Sequence, residues 1–214
     1  MIGLVTQPRF ITLEGGEGAG KTTVLNALRN VLLATGQEVV TTREPGGTPL
    51  AEQIRALLLD PDHEPPAPET ELLLLFAARA QHVRETLMPA LQRGAWVLSD
   101  RFTDSSFAYQ GGGRGLDPAL IAELERRFVV IRPGLTLLLD LGVQQGRERT
   151  RGRDLMPDRI ERERDDFFER VRAAYLARAE AEPDRIRVID ASASADDVAR
   201  RAVALLQHYL DGIA

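Results

Sequence analysis

Cysteine is absent from the 214 residues, which excludes disulfides, thiolate metal sites, iron–sulfur clusters and cysteine nucleophiles. Histidine is scarce: His63, His82 and His208 are scattered, with no spacing that suggests a metal cluster or a Ser-His-Asp set. No apolar run approaches the roughly 18 residues of a membrane span. The opening MIGLVTQPRF lacks the charged start and long apolar stretch of an export signal. The expectation is a cytoplasmic protein without a membrane partner. A net charge of −5 gives no electrostatic case for binding nucleic acid. Lysine is almost missing: of 27 basic residues, 26 are Arg and one, Lys21, is Lys. What is present describes an ordinary globular protein, 43% apolar and 28% charged, with a length that fits one domain over 1–214.

Short apolar runs alternate with longer helical patterns. Strands are expected at Phe10–Leu13, Glu38–Thr42, Trp96–Ser99, Leu135–Leu141 and Arg187–Ile189. Helices are expected at Thr22–Ala34, Leu50–Leu59, Thr70–Gln92 (interrupted near Pro89), Pro118–Phe128, Val143–Thr150, Arg159–Ala181 and Ala195–Leu210. Near-continuous apolar strands separated by helices imply an α/β fold: a five-stranded parallel sheet with helices on both faces. Ligands of such sheets bind beyond the carboxyl ends of the strands.

Gly15-Gly16-Glu17-Gly18-Ala19-Gly20-Lys21-Thr22 follows the first strand and opens the first helix, matching G-x-x-x-x-G-K-[ST]. In this P-loop the glycines turn successive backbone N–H groups toward phosphate oxygens, aided by the helix N-terminus, where Thr23 follows. Lys21 reaches the β- and γ-phosphates and the Thr22 hydroxyl ligates Mg²⁺. A compact ammonium suits this cradle where an Arg fork does not, which explains the one lysine. ATP and Mg²⁺ are the expected cofactors. A GTPase needs an Asn-Lys-x-Asp segment, which a second lysine would have to supply, so that class is excluded.

Three further segments follow predicted elements: Thr42-Arg43-Glu44-Pro45-Gly46-Gly47-Thr48, then Leu75-Phe76-Ala77-Ala78-Arg79, then Ser99-Asp100-Arg101-Phe102 running into Ser105-Ser106-Phe107-Ala108-Tyr109-Gln110-Gly111-Gly112-Gly113. Together with the P-loop they resemble the thymidylate kinase family of P-loop nucleoside monophosphate kinases, from Phe10 to about Arg201. The resemblance implies transfer of the ATP γ-phosphoryl group to dTMP, giving dTDP and ADP for dTTP synthesis, by a homodimer. It places Glu17 near the sugar 3′-hydroxyl and Arg55 and Arg101 on the dTMP phosphate. Asp100 falls near Mg²⁺ and its waters, or else in an ion pair with a neighbouring Arg.

Phe76 and Arg79 correspond to the thymine-binding pair, but the family's aromatic stands four residues before this Arg, where this sequence has Leu75. Phe76 is therefore either the stacking ring or a core residue. Ser106 falls at the pyrimidine edge, and Ser105 is a further substrate-binding candidate. Tyr109 falls beneath the sugar, where its bulk rejects a 2′-hydroxyl, and Gln110 is a further candidate. The glycines after it allow close approach to substrate, or a turn.

After the fourth strand comes an arginine-dense stretch, expected to be a lid over about 147–159. Because Gly18 follows Glu17, the P-loop carries no basic residue at that position, and the sequence resembles the bacterial subclass whose transition-state arginine comes from the lid. Arg153 is the first candidate and Arg151 the second; Arg149 is placed to stack on adenine, bordered by Asp190-Ala191-Ser192-Ala193. The competing readings are a kinase for another nucleotide, and a non-catalytic nucleotide-binding protein.

Overall fold

The computed structural model describes residues 3–151 and 158–213. Five parallel strands, β1 (Val5–Gly15), β2 (Val39–Arg43), β3 (Trp96–Asp100), β4 (Ile131–Asp140) and β5 (Ile186–Asp190), stand in the order β2-β3-β1-β4-β5. The chain leaves β1 toward one edge and crosses to the other after β3, so the crevice where connections diverge lies at the end of β1. The helices are α1 (Lys21–Ala34), α2 (Pro49–Leu59), α3 (Pro68–His82), α4 (Met88–Gln92), α5 (Thr103–Ser106), α6 (Pro118–Leu124), α7 (Val143–Thr150), α8 (Asp165–Ala181) and α9 (Ala195–Ile213).

Side chains of a strand alternate between faces. Ile11 and Leu13 of β1 pack with Leu28 and Leu32 of α1 and Leu206 of α9, all fully or almost fully buried. Each such leucine contributes about 1.5–3 kcal/mol. Phe10 faces the opposite side, among Phe76, Val97 and Phe102. Parity sends Thr12 and Glu14 to that same side. A further cluster there joins Leu138 of β4 to Phe167, Phe168, Val171 and Tyr175 of α8.

Several boundaries differ from the sequence expectation for identifiable reasons. β1 and β4 both start earlier than expected, and their register shifts between Gln7 and Ile11, around Pro8, which has no N–H to give the ladder. The helix expected over Thr70–Gln92 is three pieces, with a π-helical turn at Val83–Leu87 between α3 and α4, just before the Pro89 ring that an unbroken α-helix could not seat. The helix expected over Pro118–Phe128 likewise passes from α6 into a π turn at Glu125–Val129. The helix expected from Arg159 begins at Asp165. Arg159 is drawn away instead: its Nε donates to Leu58 O at 2.8 Å and its Nη2 to Glu71 Oε2 at 2.6 Å. The sequence reading had no helix at Thr103–Gly113, where α5 continues into a π-helical stretch over Phe107–Gly113.

The glycines of that stretch permit a close approach. A Cβ on Gly112 would stand 2.5 Å from Ala174 Cβ and 2.9 Å from Arg170 O, and one on Gly113 would stand 2.5 Å from Phe167. Gly112 and Gly113 let this segment lie against α8.

Candidate active site

The carboxyl ends of the strands carry the polar groups: the P-loop after β1, Arg43-Glu44 at β2, Asp100-Arg101 at β3 and Asp140 at β4. In the P-loop, Gly15 (φ 136°) presses against the Leu139 carbonyl, and Gly18 (φ 72°) against the backbone of Gly146 in α7. A side chain at either position is barred both by φ and by space. Gly20 precedes α1, whose N-terminus has no side-chain cap. Lys21 is 9% exposed and its Nζ donates to the carbonyls of Gly15 at 3.2 Å and Gly16 at 2.8 Å. Burial and the nearby Arg101 lower its pKa, against the pull of Glu17, Asp100 and Glu14.

Arg101 is the hub. Its backbone is left-handed (φ 70°), a strained state for a non-glycine residue that costs about 1–2 kcal/mol. The conformation is held by its N–H on Leu13 O at 2.9 Å and by the Ser99 hydroxyl on its own carbonyl at 2.7 Å. Its Nη2 donates to Glu17 Oε1 at 2.8 Å and Tyr109 Oη at 3.1 Å; its Nη1 donates to Tyr175 Oη at 3.1 Å and Ser105 Oγ at 3.4 Å. The guanidinium also lies 5.0 Å from the Tyr109 ring centre. Burial works against ionisation of Glu17, but Lys21, Arg101 and Arg55 outweigh it and hold its pKa below the ordinary value. Burial raises the Tyr109 phenol to about 12, so it stays a neutral donor.

A second group lies beside it. Arg79, 3% exposed, gives Nε to Glu44 Oε2 at 2.6 Å, Nη1 to Ser106 Oγ at 3.0 Å and Nη2 to Phe102 O at 3.2 Å. His82 Nδ1–H donates to Glu44 Oε1 at 2.9 Å, and its Nε2 meets Thr42 Oγ1 at 2.7 Å. Arg55 bonds the Pro45 carbonyl at 3.1 Å.

Phe76 is a core residue, 3% exposed, with its ring covered by Arg79 at 4.7 Å. The half-buried neighbour at the family's aromatic position is Leu75. Gln110 gives its amide to Glu71 Oε1 at 2.8 Å.

Arg149 donates to the carbonyls of Ala191, Ser192 and Ala193 at 2.8, 3.1 and 3.2 Å, closing one wall of a cavity of about 360 Å³ that Gly18, Gly20, Thr23 and Val198 also line. The structure thus joins Arg149 to the loop after β5. A second cavity of about 300 Å³ opens between Gly16, Glu17, Thr150, Arg151, Phe168 and Tyr175. Arg151 is exposed at its rim; Arg153 lies outside the described residues. Asp100 Oδ1 is, among the described residues, the buried side-chain polar atom that has no hydrogen-bond partner.

Sequence reasoning missed Glu14, Glu44, His82 and Tyr175. For Glu14 a signal existed: a carboxylate in a strand buried on both faces, one residue before the P-loop, has to find partners. His82 and Tyr175 read as ordinary helix residues and nothing local distinguished them.

A family model described as thymidylate kinase matches residues 13–202. The chain is 55% identical over 208 residues to a thymidylate kinase of Chromohalobacter salexigens, covering 96% of this chain and 98% of the relative. It is 56% identical over 188 residues to one of Alkalilimnicola ehrlichii, covering 87% of each. Among solved structures it is similar to the thymidylate kinase of Ehrlichia chaffeensis, with a TM-score of 0.76 and 32% identity over 95% of this chain and 99% of that one.

Proposed function

The chain belongs to the thymidylate kinase family and transfers the γ-phosphoryl group of ATP to dTMP, giving dTDP and ADP; from that premise we propose how its residues divide the work. The observation that carries the proposal is the position of Arg101, which touches both the P-loop carboxylate Glu17 and the Tyr109 hydroxyl. Donor and acceptor phosphates repel each other, so the protein has to surround them with positive charge and hold them in line.

The P-loop N–H groups of Gly15 to Thr22 and Lys21 take the β- and γ-phosphates. Arg149 and Thr23 border the adenosine. Arg101 and Arg55 take the dTMP phosphate, Glu17 the 3′-hydroxyl. Tyr109 lies under the sugar and leaves no room for a 2′-hydroxyl. Arg79 reads the thymine edge, its guanidinium braced by Ser106 and Glu44; Leu75, at the family position, covers the base in place of a ring, with Phe76 behind it. Ser105 supports Arg101. Gln110 supports the pocket through Glu71 rather than touching substrate. The acceptor oxygen is anionic near neutral pH, so no strong general base is required. Arg153 or Arg151, on a lid over about 147–159, stabilises charge on the moving phosphoryl group; such a finger is worth about 10³–10⁵ in turnover.

The residues present fit a Mg²⁺ ion. Asp100 Oδ1 is a buried oxygen without a partner, a hard donor of the kind this ion prefers, and Thr22 supplies a hydroxyl. When bound, the ion neutralises charge between the phosphates. We place the reaction in the cytoplasm, where ATP is supplied, in a single domain over 1–214.

We also propose a homodimer. Leu73 of α3, Leu120 of α6 and Phe128 of the following π turn are 58%, 43% and 55% exposed on neighbouring helices, an apolar face that a second copy would cover; sedimentation as a monomer at micromolar concentration would refute it.

The test of the reaction is a coupled ADP-release assay with ATP and Mg²⁺ against dTMP, dUMP, dCMP, dGMP, AMP and thymidine. Turnover is expected with dTMP, weakly with dUMP, and not with thymidine. Activity centred on another nucleotide would overturn the roles given to Arg79 and Tyr109.

A further inference from the structure

We propose that Glu14 is a positioning residue for the acceptor phosphate, setting both the backbone and the guanidinium of Arg101 without touching substrate. The inference rests on the reading of Arg101 as a phosphate-binding group.

Glu14 ends the buried face of β1 and is fully out of water. Its carboxylate accepts three hydrogen bonds: Oε1 from the Phe102 N–H at 2.8 Å, and Oε2 from the hydroxyls of Ser105 at 2.6 Å and Tyr175 at 2.7 Å. When Glu14 is ionised it has no proton to give, so the hydroxyls, themselves 2.8 Å apart, direct theirs toward it. Their lone pairs are then left for Arg101, whose Nη1 donates to both, at 3.4 Å and 3.1 Å. The Phe102 N–H adjoins the left-handed Arg101 backbone, so the same carboxylate pins the strained turn.

The indirect arrangement has a chemical reason. Arg101 already meets one carboxylate in Glu17; a direct pair with Glu14 would add a second and weaken its claim on a phosphate further. Acting through two hydroxyls, Glu14 fixes the plane of the guanidinium while the Nη2 edge stays with Glu17 and Tyr109, the groups assigned to the sugar. The charged and titratable groups facing Glu14 are Lys21 of α1, Arg101 after β3, Asp104 of α5, Tyr109 of the π stretch and Tyr175 of α8. Burial and Asp104 raise the pKa of Glu14 to about 7.

The experiment compares dTMP with thymidine, which lacks the phosphate, by calorimetric titration of the whole protein. Glu14→Gln is expected to weaken dTMP about tenfold, the weight of one charge-assisted hydrogen bond, with thymidine changed less than about twofold. Tyr175→Phe, which keeps the ring in its place, should move the same ratio in the same direction by a smaller factor, and decides the matter if the Glu14 variant does not fold. Equal weakening of both ligands would show a merely structural carboxylate and overturn the proposal, as would no change in either. Arg101→Lys runs alongside: if it leaves the dTMP-to-thymidine ratio untouched, the reading of Arg101 itself has failed. If Arg101→Lys moves the ratio and the other two variants do not, only the role of Glu14 has failed.

Discussion

Arg79 and Glu44 form an ion pair out of reach of water: Nε and Oε2 are 2.6 Å apart, with 3% and 2% of the two side chains exposed. Each charge is buried because the other is there, and the carboxylate's second oxygen is held by His82. The pair joins the end of β2 to α3, and so fixes the residue assigned to the base from an element that does not touch it.

Glu44→Gln should therefore lower the unfolding free energy by about 3–5 kcal/mol, since it strands a buried guanidinium. Urea unfolding measures this directly. A loss below about 1 kcal/mol would mean that water or another carboxylate reaches Arg79. Replacing Arg79 by Met in the same chain should recover much of the loss while removing discrimination between dTMP and dCMP.

Glu14 and Glu44 should leave opposite marks on stability against pH. Burial and Asp104 raise Glu14 from 4.5 to about 7, so between those values the folded state binds more protons than the unfolded chain and stability falls as pH rises. The fall attributable to it is of order 3 kcal/mol. Burial also penalises Glu44, but Arg79 and His82 prevail and hold it below 4.5; its stabilisation is complete above that value and disappears as pH falls through its folded pKa. Unfolding midpoints from pH 3 to pH 8 should show both limbs. Glu14→Gln should flatten only the upper one.

Asp100→Asn tests the metal assignment. The amide keeps the shape but loses the anionic oxygen, so the Mg²⁺ concentration for half-maximal turnover should rise by about 10–100-fold. The affinity for dTMP measured without metal should hardly change. A parallel loss of both would place Asp100 in the acceptor site instead.

Gly112→Ala should be costly although alanine is the better helix former. The added methyl would stand 2.5 Å from Ala174 Cβ, between two backbones that cannot both stay. A loss of about 1–3 kcal/mol in thermal unfolding is expected, with a raised KM for dTMP as the π stretch shifts. Gly142→Ala, where nothing stands within 4 Å of the new methyl, is the control.

The alternation of apolar strands and helices made the parallel sheet legible, because strands buried on both faces cannot hide their composition. The P-loop was legible because its chemistry is local: glycine, lysine and threonine act within one turn of chain. Arg101 was singled out through the family resemblance, which its place directly after a core strand supports. What could not be read depends on partners far apart in sequence. Tyr175 stands 161 residues from Glu14 and bonds it at 2.7 Å; no window of sequence contains both. Phe76 could not be told from Leu75 because one helical step separates a buried residue from a half-buried one, and only packing sets that angle. The Gly111–Gly113 run announced a close approach to substrate or a turn, whereas what Gly112 and Gly113 approach is α8.

Lys21 carries the sequence's one side-chain amine, and it points at the carbonyls of Gly15 and Gly16 inside the phosphate cradle. For bench chemistry the protein thus offers reagents that attach dyes, cross-linkers or surfaces through amines only Lys21 and the α-amino group, and a label on Lys21 falls inside the loop proposed to hold the phosphates. The same fact makes acylation an occupancy meter: the lysine label should appear in the free protein, fade as ATP is added, and give the fraction of cradles filled without any enzyme assay.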